Sequence, residues 1–480
     1  MSWFLGGIVF LLLGYFTYGR LVERIVGPDD RKTPCIANPD GVDFVPLPKW
    51  KNMLIQLLNI AGVGPVIGVI LGIKFGKVAL LIIPVGCVLM GAVHDYLAGM
   101  MSIRMNGANM PQMVREGLGA GFARAFAWFL LVLLLLVVAV FVNVPANLID
   151  RQWFPGIPFF WWAAVAIFIY YVVATLFPVD QIIGRIYPVF GALLIVGSLA
   201  IFVALVIAAG KDPALLADCA GFATDTFDQP IFPCLFVTIA CGIISGFHAT
   251  QSPIVARTCV SERQARMTFY GMMILEGVIA MIWAAAALAI YNIDVANLDL
   301  SGPVVLGKIA NHFLGRWMGG VAVAAIVILA VTSGDTALRS SRLIFAEELH
   351  IDQKNVRRRI LTTLPFIFII AGLLWWSNAS AKTFGLLWNY FAWGNQILAV
   401  TMLMAATVWL IRQGRGAKSA VALLPGVFMC TVVTSFILWA SPAKGQVWGA
   451  GLPYGVSLIV GVLLSFAFAT YAIWRGRNAK

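Results

Sequence analysis

Charge is what this sequence has least of. Asp, Glu, Lys and Arg together make up 11% of the 480 residues, and histidine occurs only 4 times. Such scarcity excludes a soluble globular chain, and a disordered one equally, because both need far more charged surface. Paired-cysteine spacings are missing too. The 7 cysteines, at positions 35, 87, 219, 234, 241, 259 and 430, form no CxxC pair and no zinc spacing. Most stand in apolar stretches, where cysteine acts as a small hydrophobe. Cys219 and Cys234 flank one loop and are placed to bridge if that loop faces an oxidising compartment. Enzyme signatures are absent: there is no HExxH, GxSxG or P-loop, and no GxGxxG after a strand pattern. A metal site on His94 and His248 has only two ligands, from distant segments. The chain therefore reads as a non-enzyme, with no cofactor beyond a coupling ion.

What is present is apolar: hydrophobic residues make up 61% of the chain. Thirteen stretches are long enough to span a bilayer, near 3–22, 53–73, 78–103, 121–149, 156–177, 183–210, 233–258, 268–292, 317–338, 360–377, 385–411, 420–440 and 452–474. The fold class expected is an all-α polytopic membrane protein. The first stretch has no small-residue cleavage site and reads as a retained helix. The net charge of +12 suggests nucleic acid at first sight, but its distribution points to topology. With the N-terminus outside, roughly three quarters of the 33 Lys and Arg fall in inward loops, as the positive-inside rule requires. The tail Arg475–Lys480 then lies in the cytoplasm. The partners implied are the lipid bilayer and a small-molecule substrate, with no nucleic acid; oligomeric state is not legible.

Two stretches interrupt the apolar pattern. Cys234–Thr258 begins as a buried helix, then meets Gly242, Ser245 and Gly246, followed by His248, Gln251 and Pro253. Glycine weakens a helix and proline removes a donor, so the backbone is expected to open there. Asn59-Ile-Ala61-Gly62-Val-Gly64-Pro65 has the same character. Open backbone at membrane depth is tolerated only against protein or a water-filled cavity, and paired interruptions in corresponding halves point to a transporter binding site. Five stretches run from 53 to 210 and five more from 233 to 411. An odd-numbered repeat enters the membrane from opposite sides in its two copies, so these halves are inverted by parity. Residues 1–52 are then an N-terminal helix and linker, and 420–480 two peripheral helices with a short tail. Within the second half, Ser301-Gly-Pro303 starts a short periodic run to Phe313, either a lid helix or an ordinary amphipathic loop.

Ionisable residues inside spans are functional candidates by default. In Thr332-Ser333-Gly-Asp335, two hydroxyls and a carboxylate offer a Na⁺ site (Thr332, Ser333) or a proton site; the competing reading is an ion pair between Asp335 and Arg339, one turn on. His248, beside the second break, suits substrate binding or a proton relay; a lone histidine can also be a satisfied core residue. His94 and Asp95 are adjacent and point about 100° apart on a helix, so they are not expected to share a site. A gating or packing pair with an arginine such as Arg104 is expected instead. Glu276 pairs internally or joins a relay. Pro65 can start a second half-helix whose N–H groups suit a carboxylate, while the carbonyls of Ala61 and Gly62 suit a cation, with Asn59 contributing an amide oxygen. Asn395 and Gln396 hydrogen-bond the substrate or join helices.

At Asn59–Pro65, Gly91–Asp95, Arg104–Ala108, Cys241–Ala249 and Asp335-Thr336 the chain resembles the carbon starvation protein A family of peptide transporters, itself similar to the amino acid–polyamine–organocation group. The resemblance covers about 55–400, and the Ser-Gly-Phe-His-Ala block carries it furthest. It implies a five-plus-five inverted repeat of the leucine-transporter kind and uptake of short peptides across the inner membrane under nutrient limitation. Some relatives carry pyruvate. By the same resemblance Gly62, Gly64, Ser245, Gly246 and His248 belong to the substrate site, and Thr332, Ser333 and Asp335 to the coupling-cation site.

Overall fold

The computed structural model describes all residues except 42, 155, 177–178, 218–228, 352–355, 379–380, 447 and 479–480. Helix dominates, and no strand occurs among the described residues; Leu47 and Cys259 form one isolated bridge. The main helices are α1 (Ser2–Val26), α2 (Lys49–Ile60), α3 (Gly64–Phe75), α4 (Ala79–Arg104), α5 (Ala120–Trp153), α6 (Phe160–Leu176), α7 (Val179–Lys211), α8 (Ile231–Thr238), α9 (His248–Ala256), α10 (Glu262–Ile293), α11 (Gly302–Glu348), α12 (Val356–Ser377), α13 (Ala381–Arg412), α14 (Ala420–Trp439) and α15 (Tyr454–Asn478). Among the described residues 10 helices are long and apolar enough to cross a membrane, or up to 12 when each of two bent pairs is one span. The stretch near 156–177 yields only a shorter apolar helix, Phe160–Ala174. The expected bridge between Cys219 and Cys234 lies outside the described residues.

Both interruptions are real breaks. The axes of α2 and α3 differ by 47°, and the Ile231–Thr238 and Ala240–Ala256 segments by 71°. The two broken helices pack directly on each other because glycine lets them. Gly64, Gly68 and Gly72 recur every fourth residue along α3. A Cβ on Gly64 would stand 2.6 Å from Cys241 Cβ, one on Gly68 2.9 Å from the Thr238 carbonyl, and one on Gly72 1.9 Å from Ile239 Cγ2. On the facing segment, a Cβ on Gly242 would meet Val69 Cγ1 at 2.7 Å. Small residues at this spacing allow backbones to approach inside a membrane, where apolar side chains gain nothing by leaving lipid.

Around this pair, α5 packs along α11, with α6 beside both. Pro145 within α5 has no N–H, so the Phe141 carbonyl loses its usual helical donor. Tyr171 Oη of α6 replaces it at 2.8 Å and lies 3.2 Å from the Ala330 carbonyl of α11. The tyrosine fits only because residue 334 is glycine: a Cβ there would sit 2.1 Å from Tyr171 Oη.

Residues 302–314 are helical and packed, as both the lid helix and the amphipathic segment would be. Ser301 stands at the N-cap of a helix with Pro303 in its first turn, and Val305, Leu306, Ile309 and Ala310 are buried. Gly315 (φ 71°, ψ 174°) then breaks this segment from the rest of α11. The Lys74 ammonium at the end of α3 donates to the Leu298 and Leu300 carbonyls just before it.

On the opposite face the basic loops meet at Glu262, which is fully buried. It accepts from Arg104 Nη2 at 2.9 Å and Arg104 Nε at 3.0 Å, and from the Asp29 amide at 3.1 Å. Arg104 also donates to the Gly27 carbonyl at 2.7 Å and Gln413 Oε1 at 3.2 Å, which ties α4 and α10 to the chain segments just after α1 and α13. Removing one partner of a buried pair leaves the other charge uncompensated. Glu262→Ala is therefore expected to destabilise the protein by about 3 kcal/mol, while a Glu262→Met, Arg104→Met double variant recovers most of that loss. Thermal unfolding in nanodiscs checks both.

Candidate functional site

At the first break, Ala61, Gly62 and Val63 leave the helix, and α11 runs beside them. Ser333 Oγ lies 3.4 Å from the Leu58 carbonyl and 3.5 Å from that of Asn59, and 3.3 Å from where a Gly62 Cβ would be. The structure thus brings Ser333 to the last turn before the break, where the carbonyls it reaches are those of Leu58 and Asn59 rather than the expected pair at Ala61 and Gly62. Thr332 Oγ1 donates to the Leu329 carbonyl of its own helix at 2.9 Å. Asp335 is fully buried, and neither carboxylate oxygen has a hydrogen-bond partner among the described residues. The alternative pairing with Arg339 is not made at contact distance: that guanidinium donates to the Ala174 carbonyl at 2.6 Å and acts on Asp335 through space.

Asn59 and Gln56 line the same helix, both fully buried. Gln56 has neither amide atom hydrogen-bonded among the described residues. Sequence reasoning passed over it; the signal was a polar spacing of Asn52, Gln56 and Asn59 along one face of α2. Over Gly62 stands an aromatic cluster in which Phe141 meets Phe247 at 6.0 Å and Phe391 at 5.9 Å between centroids, both edge-on.

At the second break Ile244 is extended (φ −166°, ψ 128°), and α9 begins at His248. Helix α13 holds it open. Asn395 Oδ1 accepts from the Phe247 amide at 2.6 Å, and its Nδ2 donates to Ser245 Oγ at 2.9 Å. Gln396 Nε2 donates to the Val237 carbonyl at 2.8 Å, before the bend. Gly246 is pressed onto α13, where a Cβ would stand 2.3 Å from both Ala399 N and the Asn395 carbonyl. Of the two roles open to Asn395 and Gln396, joining helices is the one these contacts display: they satisfy backbone that the break leaves unpaired. Gly64, Gly242 and Gly246 serve close approach. Gln251, fully buried, donates to Thr250 Oγ1 at 2.7 Å and leaves its Oε1 unpartnered among the described residues.

The expectation that His94 and Asp95 do not share a site is overturned. His94 Nδ1 lies 2.9 Å from Asp95 Oδ1, and His248 Nδ1 lies 2.9 Å from Asp95 Oδ2. Glu276 Oε2 is 3.7 Å from His248 Nε2. A 100° separation at Cα does not keep the tips of two such side chains apart, and a carboxylate has two oxygens to offer. A π-helical turn over Cys87–Gly91 precedes them in α4 and packs on the second break, where a Gly91 Cβ would meet the Ile243 carbonyl at 2.3 Å. Turns of this kind often mark functional sites. Nor does Arg104 pair with this cluster; its carboxylate is Glu262.

Two kinked helices seated on each other, with unwound backbone and buried ionisable groups at the kinks, define the fold of this multi-pass helical membrane protein. The manganese transporter of Eremococcus coleocola has this fold: one of its crystal structures, with a bound aromatic bis-isothiourea compound, superposes with a TM-score of 0.55 over 92% of this chain and 99% of its own, at 13% identity. The chain belongs to the carbon starvation protein CstA family, whose model matches residues 1–160, 152–313 and 303–436. An uncharacterized membrane protein of Haemophilus influenzae is 42% identical over 346 residues, 61% of this chain and 92% of that one. The peptide transporter CstA of Campylobacter jejuni is 24% identical, over 87% of this chain and 77% of its own. The pyruvate/proton symporter BtsT of Escherichia coli is 28% identical over 58% of this chain, which spans about half that protein's length (47%).

Proposed function

We propose that this protein is a secondary active transporter that imports short peptides across the bacterial inner membrane by alternating access, driven by H⁺ or Na⁺. The observation that carries the reading is the seating of the two broken helices on each other, with Ser333 at the last turn before the break in the first and His248 opening the second half of the other. Substrate is bound by Asn59, Gly62, Ser245, His248 and Gln251, and the driving cation by the Ala61 and Gly62 carbonyls with Thr332, Ser333 and Asp335. Residues 53–210 and 233–411 act as two inverted five-span repeats, which with one N-terminal and two C-terminal helices make thirteen spans in all. The N-terminus lies outside and the C-terminus in the cytoplasm, a placement supported by the meeting of basic loops around Glu262 on one face.

A second reading, import of pyruvate or another small carboxylate, is favoured by the tight first break, where a Gly62 Cβ would already stand 3.2 Å from Phe141. Counterflow in proteoliposomes, with dialanine, trialanine and pyruvate as trial substrates and Na⁺ and H⁺ gradients imposed in turn, separates the two. Saturable peptide exchange supports the first reading, and exchange of pyruvate alone supports the second. Flux that never rises above its equilibrium level under any gradient refutes active transport.

A further inference from the structure

Four buried titratable side chains form a row that the cation site at Ser333 and Asp335 does not use. From α4 come His94 and Asp95, from α9 His248 and from α10 Glu276, with side chains no more than 1% exposed. A carboxylate only accepts hydrogen bonds, so the two Nδ1 atoms at 2.9 Å from Asp95 each carry a hydrogen. His248 Nε2 is left facing Glu276 Oε2 at 3.7 Å. A bare Nε2 lone pair against an ionised Glu276 would set two electron pairs against each other in a water-poor core. A proton on either removes the conflict. Glu276 has no hydrogen-bond donor on either oxygen among the described residues, so this ring is what answers its charge.

Among the described residues, the neighbouring elements set neutral groups around the row. From α4, Cys87 directs its thiol to the Met273 carbonyl at 3.2 Å. Cys241, before the second break, is held by Asn395.

We propose that this row is a proton-binding site in its own right, in which one proton is held between His248 and Glu276 and handed through the imidazole to Asp95. In that step the Glu276 O–H bond breaks as His248 Nε2–H forms. The Nδ1–H bond then breaks as Asp95 O–H forms, and the ring is left neutral as the Nε2–H tautomer. The 3.7 Å gap between Nε2 and Oε2 is the contact that must shorten for transfer, so the relay is open in this conformation and closes when α9 and α10 approach. Its use in transport rests on the function proposed above; its existence as a proton site does not.

Two measurements keep these apart. Infrared difference spectra of the full-length protein in nanodiscs, recorded across pH without substrate, are expected to show a titrating carboxylic-acid band. That band disappears in Glu276→Gln and moves in Asp95→Asn and His248→Gln. A wild-type protein without such a band, or a band unchanged in Glu276→Gln, overturns the proposal. Should Glu276→Gln fail to fold, Glu276→Asp and the pH titration of ring nitrogens in ¹⁵N-histidine-labelled wild type decide the matter instead: a His248 resonance indifferent to pH and to Glu276→Asp overturns it. In proteoliposomes, proton entry accompanying pyruvate or dialanine is expected to fall at least about tenfold in Glu276→Gln, with partial recovery in Glu276→Asp. If wild type carries neither probe while the band titrates, the transport reading fails and the proton site stands.

Discussion

Asp335→Asn abolishes accumulation against a gradient while leaving a folded protein. Asparagine keeps the volume of the carboxylate and removes its charge. No hydrogen bond is lost, because neither oxygen makes one among the described residues. A fully buried carboxylate without a contact partner lowers stability, so the substitution is neutral or mildly stabilising in thermal unfolding. Transport behaves differently. With the charge gone, a cation gradient has no handle on the Ser333 region, and uptake stops at equal concentrations inside and out while exchange persists. Concentrative uptake and counterflow measured on the same proteoliposomes check this. Unchanged accumulation would remove Asp335 from coupling.

Gly246→Ala is the substitution with the largest structural effect. Its methyl would stand 2.3 Å from two backbone atoms of α13, and a main chain inside a packed helix cannot step aside as a side-chain tip can. Overpacking usually costs about 1–3 kcal/mol, and contact with backbone on both counts places this variant near about 3 kcal/mol or beyond. The hydrogen bonds from Asn395 to Phe247 and Ser245 are displaced with it. Gly307→Ala and Gly372→Ala, where nothing lies within 4 Å, serve as controls and stay within about 0.5 kcal/mol. A Gly246→Ala protein with the wild-type melting temperature would mean that the second break is not seated on α13 as described.

The two breaks are legible because glycine and proline act locally: Gly62, Gly64 and Pro65, and Gly242, Ser245 and Gly246, announce themselves without knowledge of any neighbour. The family is legible from the same residues. Which side chains meet is not. Asp95 and His248 are separated by 153 positions and Arg104 and Glu262 by 158, and no periodicity encodes a contact at that range. His94 and Asp95 diverge at Cα, but the length of their side chains decides whether they meet, and helical geometry alone is silent on that. Asn395 and Gln396 are ambiguous for a related reason. An amide that supports broken backbone has the same letter as one that binds a ligand, and only its partners tell them apart.

Helix α11 carries three things on one rod: the buried segment at 302–314, the hydroxyl and carboxylate at 333 and 335, and, near its far end, Glu347, which accepts from the Asn109 amide on the basic face. The left-handed residue at 315 uncouples the first from the other two. It is a joint between two straight pieces of one helix. A change of angle at that joint moves residues 302–314 without twisting the rest of the rod, so the hydroxyl at 333 and the carboxylate at 335 keep their depth.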